Sequence, residues 1–247
     1  MKPVSTREGS HPLEQVALRA AADLADAAAV EILRWAVETF GERICVTSSM
    51  TDAVIVHMAS AARPGIDVVF LDTGYHFAET IGTRDAVASV YPVNLVNVLP
   101  LRTVGEQDAE LGPQLFARDP DACCRLRKVE PLERALGRYD AWITGLRRDE
   151  TLQRRGASPV EWDDRRQMAK VNPIVSWTPE QEDDYIAEHG ILVNPLLYDG
   201  YPSIGCQPCT GRVAPGADSR AGRGLSQRAL GWHRKSRMRY TRARPVS

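Results

Sequence analysis

The sequence predicts an α/β fold in which a parallel sheet is flanked by helices on both faces. Short apolar runs alternate with longer segments whose apolar residues recur at helical spacing. Polar residues or glycines follow the apolar runs, as expected where strands end and loops begin. Such alternation is typical of βαβ units, whose strands lie parallel beneath their connecting helices.

The first part of the chain supplies two strands. Residues 13–40 are rich in Ala and Leu at helical spacing and close at Gly41, so we expect two helices there. The short apolar run 43–47 predicts a first buried strand, and the run 66–71 predicts a second. The segment between them, 53–62, has helical character, which completes a βαβ unit.

Two further strands follow. We expect a helix over 76–90, a third strand over 93–98 and a fourth over 141–144. A helix over 121–136 carries two adjacent cysteines near its start. The sequence shows no internal repeat.

The alternation weakens after residue 150. Residues 178–189 predict a helix with Thr178 as its N-cap. Residues 201–223 are rich in Gly, Pro and Cys, which indicates an ordered loop held by whatever its cysteines bind.

The composition is that of a globular protein. The chain has 247 residues, of which 43% are hydrophobic and 26% charged. No apolar run is long enough to span a membrane, and the N-terminus lacks the apolar segment of a signal peptide. We therefore expect a reducing, cytoplasmic compartment.

The last 24 residues differ in charge from the rest. Residues 224–247 hold seven basic residues and no acidic one, which leaves 24 basic and 32 acidic residues, a net charge of −8, in the remainder. A basic tail can bind nucleic acid or an acidic surface, but an unselected terminal segment explains this one better.

Four of the five cysteines form two tight pairs. Cys123 and Cys124 are adjacent, and Cys206 and Cys209 form a CxxC pair. Thiolates grouped in this way are typical ligands of iron–sulfur clusters or zinc. Adjacent side chains diverge, so a large cluster accommodates them more readily than a single zinc ion. The residues alone leave zinc and disulfides open as alternatives, although nothing else indicates the secreted protein that disulfides would favour.

Polar and cationic residues follow several strands. In an α/β sheet ligands bind outside the carboxyl ends of the strands. Ser48, Ser49 and Asp52 lie between the first strand and its helix, where backbone N–H groups can bind an anion. Asp72 and Thr73 follow the second strand. Taken alone, the serine loop is a weak signal that helix capping explains better, and a helix cap is also the alternative for Asp72 and Thr73.

Arginines and a lysine are placed to bind an anion. Four arginines follow the fourth strand, and a guanidinium can pair with two oxygens of a phosphate or sulfate; they are Arg147, Arg148, Arg154 and Arg155. Lys128 lies one helical turn beyond Cys124, and Arg220 and Arg223 lie beyond the CxxC pair. Cations near a cluster can offset thiolate charge and hold an anionic substrate. A solvated loop is the alternative for the arginine group.

Three further reactive side chains carry weaker signals. His57 and His76 have the chemistry for catalysis, but His57 lies on a predicted helix face without a nucleophile beside it. Cys45 lies inside the first predicted strand, which favours a buried structural thiol over a reactive one.

These residues, in this order, resemble the assimilatory adenylyl-sulfate reductases, the cluster-bearing branch of the phosphosulfate reductase family. The resemblance covers residues 43–223. Its matching segments are SSMTDAV, VVFLDTGYHFAET, CCRLRKVEPL, AWITGLRRDET, KVNPI, ILVNPL, GYPSIGCQPCT and GADSRAGR.

The resemblance implies a fold, a cofactor and a substrate. The fold is that of the adenine-nucleotide alpha-hydrolase-like proteins, here as one reductase domain over 1–223 with a nucleotide-binding core at about 43–175 and a cluster-binding loop at about 201–223. A 4Fe–4S cluster is implied on Cys123, Cys124, Cys206 and Cys209. Adenosine 5′-phosphosulfate is implied as substrate, and neither nucleic acid nor a membrane is implied as a partner. The residues implied to bind it are Ser48, Asp72, Lys128, Arg155, Arg220 and Arg223.

The implied reaction belongs to sulfate assimilation and cysteine biosynthesis. In the family, a cysteine thiolate near the C-terminus attacks the sulfate sulfur, expels AMP and becomes S-sulfocysteine. Thioredoxin or a similar dithiol then releases sulfite. The cluster is implied to hold and polarise the site rather than to carry the electrons.

The chain departs from the family after Arg223. The family continues with a Trp and a KTECGLH-like segment that carries the nucleophile, whereas this chain has no cysteine after Cys209. The abrupt change at 224–247 favours a shifted reading frame or a sequence error over a specialised basic tail. Three hypotheses remain: the reductase, with its 3′-phosphorylated substrate as a variant; a catalytically silent nucleotide- and cluster-binding protein; and a zinc-bearing adenylating or thiolating enzyme.

Overall fold

The structure, a computed structural model, describes residues 11–214 and 216–224. The basic segment 225–247 lies outside the described residues. Six strands form one sheet, β1 (Ile44–Thr47), β2 (Ile66–Leu71), β3 (Val93–Val98), β4 (Ala141–Thr144), β5 (Val160–Asp163) and β6 (Met168–Val171). Their order is β3-β2-β1-β4-β6-β5, and every pair is parallel except β5 with β6.

Nine α-helices lie within the described residues. They are α1 (Pro12–Asp23), α2 (Ala29–Phe40), α3 (Val54–Ala62), α4 (Ala78–Val90), α5 (Val104–Leu111), α6 (Leu115–Arg118), α7 (Pro120–Cys124), α8 (Glu130–Leu136) and α9 (Pro179–His189). No helix in this part of the chain is long and apolar enough to cross a membrane.

The core covers both faces of the sheet. Because side chains alternate along a strand, Val46 and Val68 point to one face, where they join the larger core cluster with Ile32 and Leu33 of α2. Cys45 and Val69 point to the other face and pack with Leu136 of α8. This is the predicted α/β architecture.

The strand order places a crevice between β1 and β4. From β1 the chain proceeds outward through β2 and β3, then returns to the other side of β1 as β4. At such a switch point the loops after the two central strands diverge and leave room for a ligand. The loops that meet there begin at Ser48 and Gly145.

The four predicted strands are present, and β5 and β6 were not predicted. Both are four residues long and are joined by the tight turn at Asp164–Gln167. Gln167 adopts a left-handed conformation there, with φ 54°, which the sequence pattern does not predict. The predicted N-cap is confirmed, since Thr178 accepts a hydrogen bond from the Gln181 N–H at the start of α9.

The single helix predicted over 121–136 is interrupted. A π-helical turn, Arg125–Val129, separates α7 from α8, and the Glu130 N–H donates to the Arg125 carbonyl five residues earlier. Pro131 has no N–H and would clash with the carbonyl four residues before it in a regular α-helix. Widening the turn relieves that clash, and π turns of this kind are frequent at functional sites.

Candidate functional site: a cysteine cavity beside an anion cavity

The four paired cysteines line one cavity of about 930 Å³. Cys123 and Cys206 are buried, Cys124 and Cys209 are half-buried, and all are free thiols. Tyr75, Phe116, Pro120 and Pro208 contribute apolar walls to the same cavity. The two pairs, about 80 residues apart in sequence, therefore meet in space, as their proposed common role requires.

Local structure places the first pair. Asp119 caps α7 by accepting a hydrogen bond of 3.0 Å from the Ala122 N–H, and Pro120 occupies the first turn, where its missing N–H costs nothing. Cys123 and Cys124 end this short helix just before the π turn. The widened turn changes the angle at which residues after the pair leave the helix.

A tight loop places the second pair. The Cys209 N–H donates to the Cys206 carbonyl at 2.9 Å, which forms a 3₁₀ turn across the CxxC segment. The Gln207 N–H donates to the Tyr75 carbonyl at 2.7 Å, and Thr73 Oγ1 lies 3.3 Å from Cys206 Sγ. The loop after β2 therefore anchors the CxxC turn.

The donor set fits a metal centre with sulfur ligands. Burial, and next the neighbouring thiols Cys124, Cys206 and Cys209, raise the pKa of Cys123 to about 12, because thiolates so placed would repel one another. A cationic centre would relieve that repulsion. The fit is one of donor chemistry and a shared cavity. Among the described residues, no three Cys, His, Asp or Glu side chains are grouped tightly enough to hold a single metal ion.

A second cavity, of about 590 Å³, lies at the carboxyl ends of the strands. The β1–α3 loop lines it with Ser48 and Ser49, and the loop after β4 lines it with Arg147 and Arg154. Ser48 Oγ accepts a hydrogen bond of 3.1 Å from the Met50 N–H, which shapes the loop.

The two cavities adjoin. Lys128, Glu150, Arg220 and Arg223 line both of them. Three cations therefore stand between the cysteines and the strand-end loops, where an anion held at the crevice would face the thiols.

The cavity cations differ in their partners. Arg147 pairs with Glu182 and Asp149, and Arg154 pairs with Glu150, so their charges are largely offset within the protein. By contrast, the Lys128 ammonium and the Arg220 guanidinium make no hydrogen bond or ion pair in the described part of the chain. No acidic side chain in that part of the chain therefore offsets these two charges.

Arg223 is held in place by the CxxC loop itself. Its guanidinium donates to the Ile204 carbonyl and to Ser203 Oγ, and neither acceptor is charged. Burial, followed by the nearby charge of Arg220, lowers the pKa of Arg223, while the cysteines beside it act in the opposite direction. An anionic ligand or thiolate would stabilise its charge.

Three of the residues predicted to bind an anion or the nucleotide, Asp72, Arg148 and Arg155, lie outside both cavities. Asp72 Oδ1 accepts a hydrogen bond of 3.0 Å from the Gly74 N–H, and its other oxygen lies 3.5 Å from Arg84 Nη1. The Asp72 carboxylate therefore stabilises the turn after β2 through contacts within the protein. Arg155 is exposed, whereas Arg154 beside it lines the second cavity. The role of Arg155 in binding stays a prediction.

The weaker candidates fall into different places. His76 lines the second cavity, its Nε2 lies 2.8 Å from the Leu71 carbonyl, and its buried Nδ1 has no partner among the described residues. His57 lies on α3 and contacts Tyr185 Oη through Nδ1 at 2.9 Å, away from the crevice. Cys45 is fully buried in β1, and burial raises its pKa far above the ordinary value.

Sequence reasoning missed Arg127, which lines the cysteine cavity and is 3% exposed. Helical periodicity is the sequence feature that could have identified it. Arg127 follows Cys123 by four residues, just as Lys128 follows Cys124, so both cations share the cysteine face of the helix.

We expect Gly222→Ala to disrupt the loop that carries Cys209. A Cβ at Gly222 would collide with the Gly211 carbonyl, a backbone atom that cannot rotate away. The Gly211 N–H donates to the Gly222 carbonyl at 2.9 Å, so the collision would break this pairing. We expect a destabilisation of at least ~1–3 kcal/mol and faster proteolysis within 201–223. Gly82→Ala is the control, because its Cβ meets nothing within 4 Å and the residue lies inside α4. Equal proteolysis of the two variants would contradict the close packing.

Comparisons with known proteins give a consistent result. A family model described as the phosphoadenosine phosphosulfate reductase domain matches residues 43–212. The chain is 57% identical over 235 residues to a Streptomyces coelicolor protein named adenosine 5′-phosphosulfate reductase, covering 94% of this chain and 100% of that protein. It is 58% identical over 230 residues to a protein of the same name from Mycolicibacterium smegmatis, covering 92% of this chain and 98% of that one.

A solved structure agrees with the sequence comparisons. The crystal structure of phosphoadenylyl-sulfate reductase from Candida auris, in a phosphate complex, matches with a TM-score of 0.70 and 30% identity. The match covers 83% of this chain and 100% of that one.

Proposed function

Since the chain belongs to the phosphoadenosine phosphosulfate reductase family, we propose that its site binds adenosine 5′-phosphosulfate for reduction to sulfite and AMP. The observation that carries this proposal is the shared wall of the two cavities. Lys128, Arg220 and Arg223 lie between a strand-end crevice and four cysteines, and no carboxylate pairs with them among the described residues.

The proposal assigns a role to each part of the site. The Ser48–Ser49 loop and the crevice beside it receive the nucleotide, because the switch point of the sheet lies there. The cations take the phosphosulfate, which directs the sulfate toward the cysteine cavity. Lys128 and Arg220 offer charge-assisted hydrogen bonds to its oxygens and offset the charge of the departing AMP. The names of the relatives favour the substrate without a 3′-phosphate.

We propose that Cys123, Cys124, Cys206 and Cys209 hold a 4Fe–4S cluster. Such a cluster would hold the four thiolates at one place and polarise the sulfate end of the substrate beside them. Around it, Thr73 Oγ1 contacts Cys206 Sγ, and Tyr75 and Phe116 line the wall with aromatic rings. These contacts orient the sulfurs and limit solvent access.

We further propose that thioredoxin or a similar dithiol is the reductant. A thiolate attacks the sulfate sulfur, the sulfur–oxygen bond to AMP breaks, and an S-sulfocysteine forms. The dithiol then attacks that sulfur adduct, becomes a disulfide and releases sulfite, which accounts for the two electrons. The chain has no cysteine after Cys209, so the attacking thiolate of the family is missing from these 247 residues. A catalytically silent protein that binds both nucleotide and cluster is therefore the second candidate function.

We expect anaerobically purified protein to contain about four irons and four sulfides per chain, with a broad absorption band. Replacing Cys206 by Ser should abolish this content, because it removes one ligand of the set. Cys45→Ser is the control, since Cys45 is buried in β1 among Val69, Leu136, Tyr139 and Met168. Stoichiometric zinc without inorganic sulfide would exclude the cluster and favour the zinc hypothesis.

A further inference from the structure

Arg127 is a buried cation without an acidic partner. Its side chain is 3% exposed and lines the cysteine cavity. The guanidinium donates to the Thr73 carbonyl and, at 2.9 Å, to Gln107 Oε1, and its centre lies 5.2 Å from the centroid of the Tyr75 ring. All three partners are neutral, and no carboxylate forms an ion pair with it across residues 11–214 and 216–224.

A buried charge of this kind is costly unless something offsets it. The side chain of Gln107 is itself only 1% exposed, so water cannot supply the compensation from that side. Two carboxylates also line the cavity, but Glu150 pairs with Arg154 and Asp218 accepts from the Arg220 N–H. The other potential anions beside Arg127 are the cysteines, which become thiolates when they bind a metal centre.

Arg127 also connects the two cysteine pairs. It belongs to the π turn that follows Cys123 and Cys124, and it donates to the carbonyl of Thr73, whose hydroxyl contacts Cys206 Sγ at 3.3 Å. Gly74 permits this approach: its φ is +73°, and a Cβ there would lie 3.0 Å from Arg127 Nη2.

We propose that Arg127 is a positioning residue that supplies the countercharge for the thiolate-bound centre and holds its two ligand pairs together. The inference rests on the proposed function, because it needs an anionic centre on the four cysteines. Arg127 acts through Cys123 and Thr73, and it differs from Lys128 and Arg220, which line both cavities and face the substrate.

The test is the rate at which iron leaves the anaerobically purified protein in the presence of a strong iron chelator. Arg127→Gln removes the charge and should release iron about ten-fold faster or more, as expected for the loss of a buried charge-assisted contact. Arg127→Lys keeps the charge and should recover most of the retention. Arg125→Gln is the matched control: Arg125 lies on the same π turn, is exposed and pairs with Glu130 at 2.7 Å. It should release iron at the unmodified rate.

A second variant separates charge from shape. Gln107→Glu keeps the size of the side chain and its acceptor for Arg127, but places a carboxylate beside the guanidinium and so neutralises it. We expect this variant also to release iron faster, although it preserves the hydrogen bond. If Arg127→Gln fails to fold, Gln107→Glu alone can test the inference.

Several results would overturn the inference. If Arg127→Gln and Arg127→Lys release iron at the same rate, hydrogen bonding by residue 127 matters and its charge does not. If Gln107→Glu releases iron at the unmodified rate, the net charge beside the cysteines has no effect on iron retention. Unmodified protein without iron and sulfide would remove the proposed cluster, and the inference with it. A cluster that is present, but that neither Arg127→Gln nor Gln107→Glu loosens, would overturn the inference alone.

Discussion

The 247-residue chain is expected to bind adenosine 5′-phosphosulfate and yet to release no sulfite when thioredoxin is supplied. The proposed reaction begins with a thiolate that attacks the sulfate sulfur. Four of the five cysteines are assigned to the cluster, and no cysteine follows Cys209. Removing the nucleophile of a covalent mechanism typically lowers turnover by on the order of 10³-fold or more.

The fifth cysteine cannot replace the missing thiol. Cys45 is 0% exposed and packs on the face of the sheet covered by α8. Burial, and next the charge of Asp67, raise its pKa, so the thiol stays protonated at neutral pH. A buried, protonated thiol inside β1 has neither the charge nor the access that attack on the sulfate requires.

Sulfite release from radiolabelled substrate tests this expectation on three proteins. The first is the unmodified chain. In the second, a Trp-containing tail that ends in a KTECGLH-like segment replaces residues 224–247, and in the third that segment carries Ser in place of Cys. We expect turnover from the second protein only. Turnover by the unmodified chain would mean that Cys45 or another group acts as the nucleophile, and Cys45→Ala would then identify which.

The architecture was predictable because its signals are local. Buried parallel strands such as 66–71 are short and largely apolar, and each is followed by polar residues or glycine. The strands β5 and β6 were missed for the opposite reason. They are short, and β5 carries Glu161 and Asp163, so only their pairing with β4 and with each other makes them strands.

The site was predictable only where the residue types are specific. The cysteine pairs have few uses besides binding a metal, and the structure brings them to one cavity. Arginines are harder to assign, because the sequence does not show which carboxylate each one meets. Arg147 and Arg154 occur in the same stretch as Arg155, and only the fold reveals that the first two are paired with Glu182 and Glu150.

The π turn lay beyond the reach of pattern reasoning. Pro131 marks a break in a helix, but whether the chain responds by kinking, by ending or by widening depends on packing. Because the turn was not anticipated, Arg127 was not recognised as a residue of the cysteine face, although its four-residue spacing from Cys123 was visible.

The second large effect is expected on nucleotide affinity. Lys128→Ala and Arg220→Ala should each weaken binding of adenosine 5′-phosphosulfate by ~10- to 150-fold, which corresponds to ~1.5–3 kcal/mol for one charge-assisted contact. Both cations line both cavities and lack an acidic partner in the described part of the chain, so each is free to pair with the phosphosulfate. Affinity measured by calorimetry at several salt concentrations should fall as salt rises, and the two variants should show a weaker salt dependence.

Arg212→Ala is the matched control for Arg220→Ala. Arg212 lies in the same loop, is exposed, and packs its guanidinium over the Tyr201 ring with 5.7 Å between the two centres. It lines neither cavity, so its removal should leave the affinity unchanged. If Lys128→Ala and Arg220→Ala also bind like the unmodified chain, the anion does not lie on the shared wall. Arg155→Ala decides the remaining assignment, because a loss of affinity would mean that the loop around Arg155 closes on the bound nucleotide.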